Sequence, residues 1–234
     1  MKKDLVKKMY LKKIKEYVFY NKKYFNENIS KITDAEFDQL KNDIIKLESQ
    51  HNFLNHKNSP SQSVGFQPLK IFKKKTHKVP MLSLANAFTE EDLINFEKRI
   101  FNFLSEKKKF DIEYSVEPKI DGISASLIYL NGVFVTGLSR GDGKQGEDIT
   151  ANLKTIKDIP KSISANDFPE EIDIRGEVFI KNSDFKKINE KFANPRNAAS
   201  GSLRQKNPND TSKIPLKFIA YTFGYEKGMK IEKQ

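Results

Sequence analysis

Apolar residues recur at helical spacing over residues 3–20, which predicts one amphipathic helix there. A second starts at "TDAEFDQL", where Thr33 can cap and Glu36 stands at the reciprocal capping-box position. Its apolar residues Phe37, Leu40, Ile44 and Leu47 follow at spacings of three and four, so Phe37 and Leu40 read as core positions. "NSPSQSVGFQP" (58–68) has the composition of a linker. A third helix is predicted from "TEEDLINFEKRI", with Thr89 as its cap.

From Asp111 the period changes to two. Ile112, Tyr114, Val116, Pro118 and Ile120 face one way, and Glu113, Ser115, Glu117, Lys119 and Asp121 the other. A strand here puts Glu117, Lys119 and Asp121 on one face. "SASLIYLNGVFVTGLSR" reads as a hairpin turning at Asn131-Gly132. "EIDIRGEVFI" (171–180) reads as a strand carrying Arg175 and Glu177 on one side, and "PLKFIAYTFGY" as a last strand. Between them, "NPRNAASGSLRQ" reads as a turn entering a helix of small residues. Glycine marks the same division: residues 1–121 contain only Gly65, whereas 122–201 contain eight of the eleven. The predicted class is α+β, with a helical N-terminal module (1–66) followed by an antiparallel-rich core (67–234).

Composition narrows what such a fold can do. No apolar run approaches the ~18–20 residues needed to span a bilayer. The basic N-terminus lacks an apolar signal-peptide core. With no cysteine, disulfides and thiolate metal sites are excluded, which fits a cytoplasmic protein. Three histidines (His51, His56 and His77) have no ligand-like spacing. The net charge of +11 points to a polyanionic partner, although lysine bias alone also produces it. Only five of the 42 basic residues are Arg, and four of these (Arg140, Arg175, Arg196, Arg204) fall within residues 140–204. A chain that uses Arg so sparingly keeps it where a planar fork must grip phosphate or carboxylate.

"GDGKQG" (141–146) matches G-x-G-x-x-G in form only. A hairpin strand precedes it and Glu147-Asp148 follow, which places negative charge where a pyrophosphate would lie, so a glycine-rich connection is the better reading. "KIDG" (119–122) alone also fits a surface turn in a lysine-rich chain. Together with "RGEVF" (175–179) and "NPRNAASGSLRQ" it suggests more. A lysine nucleophile needs an electrophile whose charge is neutralised nearby, typically phosphate beside cations. Arg140, Arg196 and Arg204 are candidates for that charge, and Glu177 could accept from ribose hydroxyls.

At this point the sequence resembles the N-terminal adenylation region of the bacterial NAD⁺-dependent DNA ligases. The segments "YFNENISKITDAEFDQL", "NSPSQSVG", "HKVPMLSLANAF", "VEPKIDGIS", "SRGDGKQGEDIT", "RGEVF" and "NPRNAASGSLRQ" follow in family order from Tyr24 to Gly224. The resemblance implies a nucleotidyltransferase core in which Lys119 is the nucleophile that forms lysyl–AMP, with Asp121 and Gly122 completing its motif. It further implies that Glu117 contacts adenine, that Ser83 and Leu84 line the nucleotide pocket, and that Arg140 and Glu177 bind the AMP portion of NAD⁺. Arg196 and Arg204 would hold phosphate and nicked double-stranded DNA. Tyr24, Asp34 and Asp38 would recognise the nicotinamide mononucleotide half. NAD⁺ is implied as the consumed AMP donor and Mg²⁺ for charge neutralisation, in a monomeric, cytoplasmic enzyme of DNA replication and repair.

Phe25 stands where the family usually carries His or Tyr, and Phe37 where it usually carries Tyr, which removes polar tips from the nicotinamide side. Family members continue into a D-G-[VI]-V-x-K strand and a second lysine segment, and neither precedes Gln234, so a truncated form is expected. Two other readings stay open: an ATP-using nucleotidyltransferase, and a basic, non-catalytic DNA binder whose affinity falls steeply with salt.

Overall fold

The computed structural model describes residues 2–26, 31–62, 72–105, 111–165, 168–188 and 192–228. The chain forms two compact units, one of residues Met1–Met81 with Ile120–Gln234, the other of Leu82–Lys119. The expected division at residue 66 and the last part of the 58–68 linker lie outside the described residues.

In the first unit, α1 (Lys2–Asn26) is longer than its apolar pattern predicts, and α2 (Asp34–Gln50) begins where expected. The Thr33 hydroxyl accepts from the Glu36 N–H at 3.2 Å, and the Glu36 carboxylate accepts from the Thr33 N–H at 2.8 Å, which is the reciprocal box. Tyr10, Ile14 and Tyr17 of α1 pack with Ile44 and Leu54, and Phe37, Leu40 and Leu47 close over them. Phe37 stacks on Tyr17 with ring centroids 5.4 Å apart. The apolar stripe of α2 is therefore core, as its spacing predicts.

The same unit holds a four-stranded antiparallel sheet in the order β3-β2-β5-β6, formed by β2 (Ile123–Leu130), β3 (Val133–Ser139), β5 (Glu171–Phe179) and β6 (Lys217–Lys227). A small two-stranded sheet pairs β1 (Lys74–Thr76) with β4 (Gln145–Glu147). The hairpin turns at Asn131 and Gly132 with φ of 47° and 79°, the positive values a type I′ turn requires. Alternation along β2 sends Ala125, Leu127 and Tyr129 to one face of the sheet. There they join Val178 of β5 and residues of the short helices α4 (Thr150–Leu153) and α6 (Pro195–Leu203) in the main core. The small residues of α6 (Ala198, Ala199, Ser200 and Ser202) are all buried, because only small side chains let the helix lie this close to its neighbours. The remaining short helices are α5 (Asn182–Phe185) and α7 (Pro208–Ser212). The 141–146 stretch is a tight turn leading into β4, not a βαβ crossover.

The second unit holds α3 (Glu90–Leu104) between irregular segments. Thr89 caps it as predicted, with Asp92 completing the box. The Phe96 and Tyr114 rings meet at 6.5 Å.

One prediction is corrected. Residues 111–121 alternate in polarity but form no strand, and the ladder starts only at Ile123. A strand exists through its hydrogen-bonded partner, and no described residue pairs with this stretch. Pro118 also lacks the N–H that a ladder would use.

Candidate active site

The core-facing alternation of β2 leaves Ser124 and Ser126 on the opposite face of the sheet. Register places them directly across from Glu177 and Arg175. The Ser124 hydroxyl donates to Glu177 at 3.0 Å, and that of Ser126 to Asp173 at 2.5 Å. Glu177 and Arg175 share a side of β5, which left open a pair between them. The structure uses Arg175 otherwise. Its Nε and Nη2 donate to Asp173 at 3.1 and 3.0 Å, Nη1 donates to the Pro80 carbonyl at 3.1 Å, and Nη2 also reaches the Val79 carbonyl. Gly224 of β6 lies against this guanidinium, where any Cβ would overlap it. Arg175 is thus a buried clamp on residues 79–80.

Glu177, only 9% exposed, is left to a different set of neighbours. Arg140 stands one residue beyond β3, and Arg196, Glu177, Tyr221 and Tyr17 lie within its electrostatic reach. Burial, with Arg196 nearby, lowers the Arg140 pKa. Burial also pushes the Tyr17 hydroxyl up to about 12, against the pull of Arg140. Arg196 in turn donates to Asp121 at 2.9 Å. Asp121, Arg140, Glu177 and Arg196, four residues predicted from separate motifs, are therefore gathered in one unit.

Tyr221 joins them, although its sequence context did not mark it. It sits in β6 where the register against Arg175 and Gly176 shifts by one residue, and this bulge brings it beside Glu177, Arg140 and Ser124. Partial desolvation raises its pKa. A bulge depends on how two distant strands meet, so no local pattern signals it.

Gly122 packs against β5, where a Cβ would overlap the Val178 carbonyl and come 2.9 Å from Glu177 Cγ. Gly122→Ala is accordingly expected to cost about 1–3 kcal/mol, because a backbone oxygen cannot step aside as a side chain can. Urea denaturation checks this, and an unchanged midpoint would show that the strand relaxes freely.

Other predicted residues are placed differently. Arg204 donates through Nε to Glu147 at 3.1 Å, and Glu147, 1% exposed, also accepts from Ser139. Part of the Arg204 fork is thus committed to a buried carboxylate that the sequence marked only as negative charge after the glycine-rich turn. Glu117, Lys119, Ser83 and Leu84 belong to the second unit, where the Ser115 hydroxyl donates to Glu117 at 3.4 Å. Lys119 is the last residue of that unit, so the KIDG segment straddles the two. On α2, Asp38 pairs with Lys41 at 3.1 Å. The side chains of Tyr24, Phe25 and Asp34 lie outside the described residues. Among the described residues no cluster of three or more His, Cys, Asp or Glu could hold a metal ion, and no helix is long and apolar enough to cross a membrane.

Such an arrangement, with two guanidinium groups near a buried, hydrogen-bonded carboxylate, suits a phosphate and a hydroxyl-bearing sugar. Residues 69–234 match the family described as the NAD-dependent DNA ligase adenylation domain, and residues 9–65 the DNA ligase-like, N-terminal NAD+-binding domain. A DNA ligase of Pelagibacter ubique is 66% identical over 96% of this chain and 33% of its own length. DNA ligases of Rickettsia bellii and Parvibaculum lavamentivorans are 48% and 46% identical, over 89% and 88% of this chain and 31% and 30% of theirs. The chain spans about a third of the length of the curated relatives it matches. By its motifs in order, its α+β core and both family matches, the chain belongs to the NAD-dependent DNA ligases, as their N-terminal adenylation region.

Proposed function

We propose that this chain performs the first step of nick sealing, its own adenylation by NAD⁺. The observation that carries the reading is the gathering of Arg140, Arg196 and Glu177 in one unit, whose chain continues from KIDG through Asp121 and Gly122. Lys119 Nζ, having lost a proton, attacks the adenylyl phosphorus. A nitrogen–phosphorus bond forms and the bond to the nicotinamide mononucleotide phosphate breaks. Arg140 and Arg196 offset the phosphate charge while Glu177 accepts from ribose. Ser83, Leu84 and Glu117 hold the adenine, and Tyr24, Asp34 and Asp38 the departing nucleotide, so module 1–66 selects NAD⁺ for core 67–234.

In the whole ligase reaction, AMP passes to the 5′-phosphate of nicked DNA and is displaced by the 3′-hydroxyl. Arg196, Arg204 and the charge of +11 engage the duplex, in cytoplasmic replication and repair, with the chain acting as a monomer. The described residues offer no cluster of three or more His, Cys, Asp or Glu as a ready Mg²⁺ cage. Mg²⁺ binding through phosphate oxygens and water would need none.

Intact mass after incubation with NAD⁺ and Mg²⁺, beside ATP, tests the proposal. The expected result is a gain of one AMP with NAD⁺ and none with ATP. A gain with ATP alone assigns the chain to the ATP-using enzymes. A folded chain that gains nothing but binds DNA in a salt-dependent manner is a binder.

A further inference from the structure

His77 directly follows β1 and is 6% exposed, yet neither the clamp nor the phosphate cluster uses it. Its backbone N–H donates to the Lys144 carbonyl at 2.9 Å, and the Met81 N–H to the Gly143 carbonyl at 2.8 Å. These bonds lay residues 77–81 along the 141–146 turn. The imidazole reaches into the same turn, where Nε2 lies 3.2 Å from the carbonyl oxygen of Arg140. A carbonyl only accepts, so Nε2 carries a proton in this contact. Nδ1 is buried without a hydrogen-bond partner.

Arg140 needs such a hold. It stands outside the β2–β3 ladder, and the next residue, Gly141, takes φ of +58°. Its carbonyl is gripped by the Gly143 N–H at 3.0 Å and by the imidazole. Gly146 leaves room for the ring, since a Cβ there would come 3.0 Å from Nε2. Around it stand the Ser139 carbonyl and the charges of Asp173 and Arg175. Burial lowers its pKa below the ordinary histidine value.

We infer that His77 is a positioning residue for Arg140, its Nε2–H fixing the peptide that aims the guanidinium at Glu177, beside Arg196. Its consequence for adenylation rests on the function proposed above, whereas the geometry does not. The test uses two polar variants of the full chain. Gln keeps an N–H donor near the place of Nε2, while the amide of Asn is too short to reach it. Phenylglyoxal modification of Arg140, mapped by peptide mass against Arg99, reads the guanidinium without any ligand. His77→Asn is expected to raise Arg140 labelling about fivefold and to slow adenylation about tenfold, near the effect of one lost buried hydrogen bond. His77→Gln is expected to stay near wild type in both. In an Arg140→Ala background, His77→Asn should slow adenylation no further.

Imidazole ¹⁵N shifts should report the Nε2–H tautomer. An Nδ1–H tautomer, unchanged labelling in His77→Asn, equal behaviour of the two variants, or an additive loss in the Arg140→Ala background overturns the inference. If labelling responds as expected but the wild-type chain forms no adenylate, His77 still positions Arg140 and the proposed self-adenylation falls instead.

Discussion

Lys119→Ala is expected to abolish the covalent adenylate while leaving the melting temperature unchanged. The side chain is exposed, so truncation opens no cavity and strands no buried partner. Lys119→Arg should be just as inactive. Arg keeps the positive charge, but its guanidinium stays protonated throughout the accessible pH range and offers no nucleophilic lone pair. If charge near the phosphate were all that mattered, Arg would retain activity, so the pair of variants separates nucleophilicity from electrostatics. Because 42 of the 234 residues are Lys or Arg, the modified residue must be mapped by peptide mass. An adenylate that persists in Lys119→Ala, on another lysine, would remove Lys119 from its role.

The second large effect is on stability. Arg175→Ala is expected to cost about 3–5 kcal/mol, the usual range when one member of a buried ion pair is removed. The Arg175 and Asp173 side chains are 8% and 7% exposed, so the remaining carboxylate keeps Ser126 but loses its counter-charge. Val79 and Pro80 lose donors at the same time. At this chain length each kcal/mol moves Tm by about 2–4 °C, which predicts a fall of about 6–20 °C. Asp173→Asn combined with Arg175→Ala should cost less than the sum of the two, because the stranded charge is gone. A fall of less than about 2 °C in Arg175→Ala would show that the clamp is not what holds residues 79–80 to β5.

The clamp also bears on function. The carbonyls it holds lie just before Met81, where the chain leaves the first unit for the segment carrying Ser83 and Leu84. A stability defect at Arg175 is therefore expected to lower adenylation through loss of fold. His77→Asn, in contrast, is expected to act through the peptide that carries Arg140, and comparing the two separates general loosening from loss of aim.

By itself the sequence determined the elements whose signals are short in range. The Thr33 and Thr89 capping boxes, the 3–4 spacing of α2, the Asn131-Gly132 turn with its positive φ values and the small-residue helix α6 are all written within a few neighbouring residues. Motif order likewise sufficed for the family, since seven segments in one sequence leave little to chance. The tertiary structure alone decided everything that depends on a distant partner. Alternation over 111–121 looks like a strand, but no described partner pairs with it, so extended preference remains irregular chain. Arg175 could have paired with Glu177 two residues along β5, yet its fork reaches carbonyls 95 and 96 residues away. Arg204 meets Glu147 across 57 residues, and Tyr221 enters the site only through a bulge between β5 and β6. The physical reason is the same in each case. Backbone propensity and periodicity act over one or two turns of chain, whereas a buried charge or hydrogen-bonding group takes whichever partner the packed fold presents, and no local pattern records that choice.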